Sequence, residues 1–573
     1  MTSYRGERYH SRVRNRISSI SRISKCLSLK KLCFPCFVTV ILACLFCVSP
    51  AGAKRPEVTA ASGMVAAAHP LASQAGVDVL KDGGNAVDAA VAAAFAIGVV
   101  EPFSNGIGGE GEMIIYTAQG KKAVAIDYRS VSPASTDFSK GIPSKGHMSV
   151  AVPGTVAGLC LALEKYGTLT LSRVLEPAIK LAGDGFVVTS TLAGIILDNY
   201  ESIIEEEGLA KIFCPDTFPL AAGDTLKNPD LAQSLRKIAE VGAEIFYKGE
   251  IAEKIAAEMR SQGAFINKSD LAAYRAFERE PVRSTYRGYQ IVSSPPPVGG
   301  LAVLESLNIL ENFDLSSLDP LAPERMHLLS ECMKRGMADW RAFVGDPDFV
   351  DVPVSELLSK SYAKIRAAEI DTKRISENIL AGNPVEDLSP STTSLSTVDK
   401  DGNMVALTQT ISDFFGSKVI IDGTGIILNN EMKNFSEEGV NSLAPGKRMR
   451  TSISPTIVIK DGRAFVTIGT PGGIRILTTM VLLLSNLIDH GMEIQQAIDM
   501  PRFFPQDKVL SIEPRFPEKT LTELVSMGYT LEPLGKYDLY FGGAQGIAID
   551  PKTGLRIGGA DPRRDGVVVG YVP

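Results

Sequence analysis

The sequence predicts an α+β fold in which antiparallel sheets are stacked and covered by helices on their outer sides. Three observations carry this expectation. After residue 391 the chain turns to alternating apolar and polar residues punctuated by Asp-Gly turns, as in STVDKDGNMVALTQT and PTIVIKDGRAFVTIGT. Between residues 153 and 374 most segments show helical spacing instead. And 45% of the 573 residues are hydrophobic against 22% charged, enough to bury a large core. A net charge of −6 argues against nucleic acid as the main partner.

Taken in order, residues 1–53 differ from the rest. Arg5, Arg8, Arg12, Arg14, Arg16, Arg22, Lys25, Lys30 and Lys31 precede an apolar run from Leu32 to Val48, and Ala51-Gly52-Ala53 follows. Basic, then apolar, then small-x-small reads as a secretory signal peptide ending at Ala53, which would place the protein in the periplasm or outside the cell. The rival reading is an uncleaved N-terminal anchor. Cys33-x-x-Cys36 and Cys44-x-x-Cys47 imitate metal-binding pairs, but an apolar run gives no room for a metal fold. The remaining Cys160, Cys214 and Cys332 are too few and too far apart to suggest a disulfide framework.

GGNAVDAAVAAAFAIGVVEP, from Gly83, is small and apolar almost all round, the mark of a buried helix. In SNGIGGEGE, Gly106, Gly108 and Gly111 match a dinucleotide fingerprint in form only, since Glu110 and Glu112 would repel a phosphate. It reads as a tight backbone turn near the core. Two alternating runs joined at Gln119-Gly120 then form a hairpin ending at Arg129, where a lone strand-end arginine is ordinarily solvated. Helical spacing follows at 158–166, 171–182, 230–241, 251–263 and 326–344, and later at 474–489. Three hairpins are expected beyond residue 392, the last one within GIAIDPKTGLRIGGA from Gly546.

Chemistry concentrates in the first of these hairpins. Thr392 and Thr393 stand at its mouth, after AGNPVEDLSPS, a polar loop that is easily cut. Scission between Ser391 and Thr392 would give Thr392 a free amine able to take its hydroxyl proton, the activated nucleophile of the N-terminal threonine type. Pro471-Gly472-Gly473 joins the second hairpin to a helix start, where outward N–H groups could hold an oxyanion, although a plain strand-to-helix turn looks the same. Thr451 and Ser452 follow Lys447, Arg448 and Arg450, a setting that suits a carboxylate or an ordinary solvated loop. G-x-S-x-G, H-E-x-x-H and Walker A patterns are missing from the sequence, and His69, His147, His327 and His490 are scattered.

With these motifs in view, the chain resembles the γ-glutamyltransferases, also called γ-glutamyl transpeptidases or glutathione hydrolases. The resemblance runs through GGNAVDAAVA, GIGGEGE, TTSLSTVDKDGN at Thr392, GIILNNEM from Gly425, PGKR from Pro445, TSISPTIV from Thr451, PGG from Pro471 and ADPRRDG from Ala560. It implies a four-layer αββα sandwich of the N-terminal-nucleophile hydrolase type, no cofactor and no metal. It also implies a precursor that cuts itself into a large subunit, 54–391, and a small subunit, 392–573, which stay together as a heterodimer. Donors would be γ-glutamyl peptides such as glutathione, and acceptors water, amino acids or peptide amines, with no nucleic acid and no membrane partner beyond the leader.

Residue by residue, the resemblance makes Thr392 the nucleophile, Thr410 its hydrogen-bonding partner, and Gly472 and Gly473 the oxyanion glycines. Arg129, helped by Thr451 and Ser452, would bind the donor α-carboxylate, and Glu431 would help hold the α-amino group. Three positions depart from the pattern. Ser394 replaces a common His, Ser412 stands where many members have Asn, and Asn434 stands where the family has an Asp that pairs with the donor α-ammonium. Losing that charge-assisted bond costs about 1.5–3 kcal/mol, roughly ten- to a hundredfold in affinity. This leaves open an acylase for glutaryl-type or other amides on the same fold and, more remotely, an unprocessed binding protein. The short stretch 435–448, where lidded members carry a longer insert, suggests an open pocket tolerant of bulky donors.

Overall fold

Two seven-stranded antiparallel sheets form the centre of the molecule. The computed structural model describes residues 57–136, 141–376, 379 and 392–572, so the expected leader, its cysteines and Ser391 lie outside the described residues. The strands of the two sheets, numbered in chain order, are β1 (Val58–Ala60), β2 (Gly63–Ala67), β3 (Glu110–Thr117), β4 (Lys122–Tyr128), β5 (Phe277–Arg279), β6 (Val282–Tyr286) and β7 (Tyr289–Ser293). After these come β8 (Thr393–Val398), β9 (Met404–Thr410), β10 (Thr456–Lys460), β11 (Arg463–Gly469), β12 (Gln545–Ile549), β13 (Arg556–Ala560) and β14 (Val567–Tyr571). The first sheet runs β1-β13-β12-β11-β10-β7-β6 and the second β14-β2-β8-β9-β3-β4-β5.

The layering follows from strand alternation, because successive side chains leave opposite faces of a sheet. In β9, Met404 and Ala406 join Met64, Ala66, Ile114, Ile457 and Ile547 in a core between the two sheets. Val405 and Leu407 of the same strand point the other way, into a core shared with the helices Pro70–Lys81, Ala86–Val100 and Thr155–Tyr166. Val458, Val466 and Ile468 of the first sheet pack outward on the helices Gly300–Leu310, Pro323–Phe343 and Arg475–Ile488. The order helices, sheet, sheet, helices is therefore the expected αββα sandwich. Both faces of each sheet are covered, which is why β8 and β9 are buried along their whole length.

The alanine-rich helix Ala86–Val100 is buried on nearly every side, as its composition predicts. Its small residues allow close approach to the second sheet, where the Thr397 hydroxyl donates to Ala86 O at 2.6 Å and Gln409 Nε2 to Ala94 O at 2.9 Å. The glycine turn after it is indeed a point of contact between backbones. A Cβ at Gly108 would sit 2.2 Å from Ile427 O, and one at Gly109 2.2 Å from Thr410 O.

The main correction to the sequence reading concerns residues 277–293. They lie in a stretch read as mostly helical, yet form β5, β6 and β7. Arg287 and Gly288 both take positive φ, 50° and 83°, and make the tight turn between β6 and β7. Cys160, Cys214 and Cys332 are free thiols, as the spacing suggested. Among the described residues no helix is long and apolar enough to cross a membrane.

Candidate active site

Strand register assembles the site. Thr393 pairs with Gln409 across β8 and β9, Thr410 with Glu110 across β9 and β3, and Gly111 with Tyr128 across β3 and β4. Residues opposite one another in antiparallel strands share a face. Thr392, Thr410, Glu110 and Arg129 thus fall in one transverse row at the end of the second sheet. They lie on the side that carries Ala406 toward the other sheet. The Thr392 hydroxyl donates to Thr410 Oγ1 at 3.4 Å, and Thr410 Oγ1 accepts the Ser412 N–H at 2.8 Å. Both threonines are 4% exposed.

The neighbour of the nucleophile candidate points to the opposite face. Thr393 Oγ1 donates at 2.8 Å to Glu101 Oε2, just past the alanine-rich helix, and Arg564 Nη1 lies 3.5 Å from the same oxygen. Burial lifts the Glu101 carboxyl above its ordinary range, and Arg564 draws it back in part. The rest of the ADPRRDG segment is also structural: Arg563 bonds Glu513 at 2.6 Å and Asp561 at 3.0 Å in full burial.

The first sheet closes over this row. A Cβ on Gly469, at the end of β11, would sit 2.2 Å from Ser394 Oγ, so the chain leading into Pro471-Gly472-Gly473 runs directly over the start of β8. Gly472 and Gly473 have φ of 134° and 56°, a region where L side chains are strained, and the helix Arg475–Ile488 follows. Ser452 Oγ donates to Gly473 O at 2.7 Å and so ties the TSISP segment to this turn. Ser394, in place of a histidine, donates to Leu407 O at 3.0 Å.

The far end of the row is charged. Arg129 is fully buried, which overturns the reading of a solvated strand-end arginine. Its guanidinium pairs with Glu110 and donates to Thr451 Oγ1, while Glu110 Oε2 accepts the Ser130 N–H at 2.7 Å. Burial alone would lower the Arg129 pKa, but Glu110 and then Glu431 outweigh it and hold the cation more firmly. Glu431 sits on a short 3-10 turn, Glu431–Asn434, held in place by Asn429, whose side chain bonds Gly108 O and Ala151 O at 2.9 Å each. Asn434 Nδ2 donates to Glu431 Oε2 at 2.6 Å and lies 3.4 Å from Ser412 Oγ. Ser412 has a positive φ of 78°, a conformation that asparagine tolerates better than serine. Burial, and then the charge of Glu110, push the Glu431 carboxyl well above the ordinary carboxylate range. Glu110 rises less, because Arg129 and the Ser130 N–H hold its charged form against burial.

A continuous path of polar contacts thus runs Thr392, Thr410, Ser412, Asn434, Glu431, with Arg129 and Thr451 beside it and Ser452 on the glycine turn. The basic patch read as a possible anion site does not join it. Lys447 Nζ donates to Val440 O and Ser442 O at 2.8 Å each, Arg448 Nε lies 3.4 Å from the buried Asp127, and Arg450 lies 4.7 Å from the Trp340 ring centre while donating to Arg341 O. These cations close loops. Sequence reasoning missed Glu110 as the counter-ion of Arg129 and Glu101 as the support of Thr393. The available signal was the pair of charges, Glu110 and Glu112, opening a strand that continues as apolar Met113, Ile114 and Ile115.

Comparison with known proteins gives one family. Residues 72–571 match the family described as gamma-glutamyltranspeptidase. The glutathione hydrolase proenzyme of Escherichia coli (strain K12) is 41% identical, over 90% of this chain and 93% of its own. The acylase ACY 1 proenzyme of Pseudomonas sp. (strain SE83) is 39% identical, over 90% of this chain and 94% of its own. Among solved structures, the cephalosporin acylase from Bacillus halodurans superposes with a TM-score of 0.86 at 35% identity, covering 92% of this chain and 98% of that one.

Proposed function

The chain belongs to the γ-glutamyltranspeptidase family, and we propose that it is an exported, self-processing γ-glutamyltransferase and glutathione hydrolase with Thr392 as nucleophile. The observation that carries this reading is the Thr392–Thr410 hydroxyl pair at the mouth of two stacked sheets, with the Gly472-Gly473 turn on the sheet above. Processing begins when the Thr392 hydroxyl attacks the Ser391 carbonyl carbon. The Ser391–Thr392 C–N bond breaks, an ester forms on Oγ1, and the freed nitrogen takes up the proton. Water then hydrolyses the ester, leaving residues 54–391 and 392–573 as large and small subunits.

The new α-amine accepts the Oγ1 proton as that oxygen attacks the γ-amide carbon of a donor such as glutathione. Negative charge gathers on the amide oxygen, and in this reading the Gly472 and Gly473 N–H groups stabilise it, by about 2.7–4 kcal/mol for one such donor. The amine leaves with the proton, and the acyl-enzyme ester passes to water or to an amino acid or peptide amine. Thr410 orients Oγ1, Arg129, Thr451 and Ser452 define the far end of the acyl pocket, and Glu431, Asn434 and Ser412 line its amino side. The test is the mass of the purified protein under denaturing conditions with N-terminal sequencing of the small fragment. Two fragments, one starting at Thr392, are expected; an intact chain or another start rejects the reading.

A second reading is favoured by a specific observation. Asn434 is uncharged and turned to Glu431 and Ser412, and a relative named an acylase is nearly as similar as the hydrolases. On this reading the same site cleaves glutaryl-type or related amides. Turnover of γ-glutamyl against glutaryl anilides separates the two, and a strong γ-glutamyl preference removes the second.

A further inference from the structure

The row that holds the nucleophile contains one residue the reaction does not require. Glu110 stands between Thr410 and Arg129, and its side chain and that of Arg129 are both 0% exposed. One Glu110 oxygen pairs with Arg129 Nη2, and the other accepts the Ser130 N–H at 2.7 Å. Arg129 Nη1 already donates to Thr451 Oγ1. Nη1 thus has a hydroxyl acceptor and Nη2 an ion-pair partner from the protein itself, while Nε has no hydrogen-bond partner among the described residues. A vacant guanidinium binds a carboxylate through two parallel bonds. Here an incoming carboxylate would meet a cation already neutralised by a carboxylate, and taking Nη2 from Glu110 would separate an ion pair buried away from water, which is costly because it leaves a buried charge without its partner. Glu110 cannot easily withdraw, since β3 is paired on both sides, with β9 and with β4. Of the neighbouring groups, Asn434 is neutral and Glu431 is another carboxyl, and the Lys433 cation on the same turn is paired with Asp413.

We propose that Glu110 is a specificity-determining residue, an internal counter-ion that occupies Arg129, so that the acyl pocket takes amides whose far end lacks a carboxylate at least as well as amides whose far end carries one. The proposal rests on the reading that the row from Thr392 to Arg129 holds the acyl chain. It leaves the chemistry at Thr392 unaltered and changes which acyl groups reach it.

Equilibrium binding tests it without requiring turnover. The probes are 4-carbamoylbutanoate and glutaramide, which differ by one carboxylate, titrated calorimetrically into the processed full-length protein. The wild type is expected to bind the two within about threefold of each other, and Glu110→Gln to favour the carboxylate by about tenfold or more. Arg129→Gln in the otherwise wild-type protein should leave the ratio within about threefold. A wild-type preference for the carboxylate of about tenfold or more, abolished by Arg129→Gln, overturns the proposal. The wild-type ratio decides even if a variant fails to fold. Binding of neither probe overturns the assignment of the pocket, whereas loss of γ-glutamyl turnover with the binding pattern intact sinks only the proposed reaction.

Discussion

The two ends of the proposed catalytic row are built on different principles. At one end Thr392 and Thr410 are short hydroxyl residues whose positions follow from the register of β8 and β9, and Gly472 and Gly473 place backbone alone above them. At the other end Glu110, Arg129, Glu431 and Asn434 are long side chains from separate segments, buried together and holding one another. In the proposed mechanism, reactivity is set by backbone geometry and selectivity by a balance of buried charges. A single substitution at the first end should remove activity, while one at the second should redirect it.

Thr392→Ala tests the first end most severely. It should abolish both chain scission and acyl transfer, read by denaturing mass and by release of an anilide chromophore. Next in size, Gly472→Ala puts a side chain at a φ of 134°, with its Cβ 3.3 Å from Gly542 Cα; kcat should fall by about 10²–10³ as the oxyanion donor is displaced. At the second end, Asn434→Asp should raise the preference for γ-glutamyl over glutaryl anilides by roughly ten- to a hundredfold through a restored charge-assisted bond. An unchanged ratio would show that position 434 does not meet the donor amine. Thr410→Val removes one neutral hydrogen bond to the nucleophile and should lower kcat by roughly tenfold, with processing slowed alongside.

The smallest effect concerns stability. The Glu431 carboxyl holds its proton to a higher pH in the folded chain than in the unfolded one. Between the ordinary carboxyl value of about 4.3 and that raised value, the folded state therefore binds more protons, and stability falls as pH rises through the window. Glu431→Gln should flatten this decline in urea titrations, because the variant side chain has no proton to lose. An equally steep decline in the variant would assign the effect to Glu101 or Glu112 instead.

The contrast also explains what could be read from the sequence. Asp461-Gly462 marks a hairpin because both residues need positive φ, 50° and 71° here, and such local requirements are visible in the residues themselves. The same holds for the alanine-rich helix, whose composition leaves no polar face. Arg129 was harder. Nothing within its own hairpin distinguishes a buried arginine from a solvated one, and its partners Glu110 and Thr451 lie 19 and 322 positions away in the chain. Lys447, Arg448 and Arg450 failed in the opposite direction, since three adjacent cations look like a binding patch until their separate carbonyl, carboxylate and ring partners are seen. The strands β5–β7 were missed because they are short and flanked on both sides by strong helical patterns.

The strand order has a consequence for what the proposed cut can release. Strands that precede residue 391 and strands that follow it alternate through both sheets, meeting at β1/β13 and β7/β10 in one and at β14/β2, β2/β8 and β9/β3 in the other. Scission at Thr392 would therefore yield two polypeptides woven through each other, unable to part without dismantling both sheets. Extreme dilution should leave the pair co-eluting and fully active, and only denaturant should free one piece from the other.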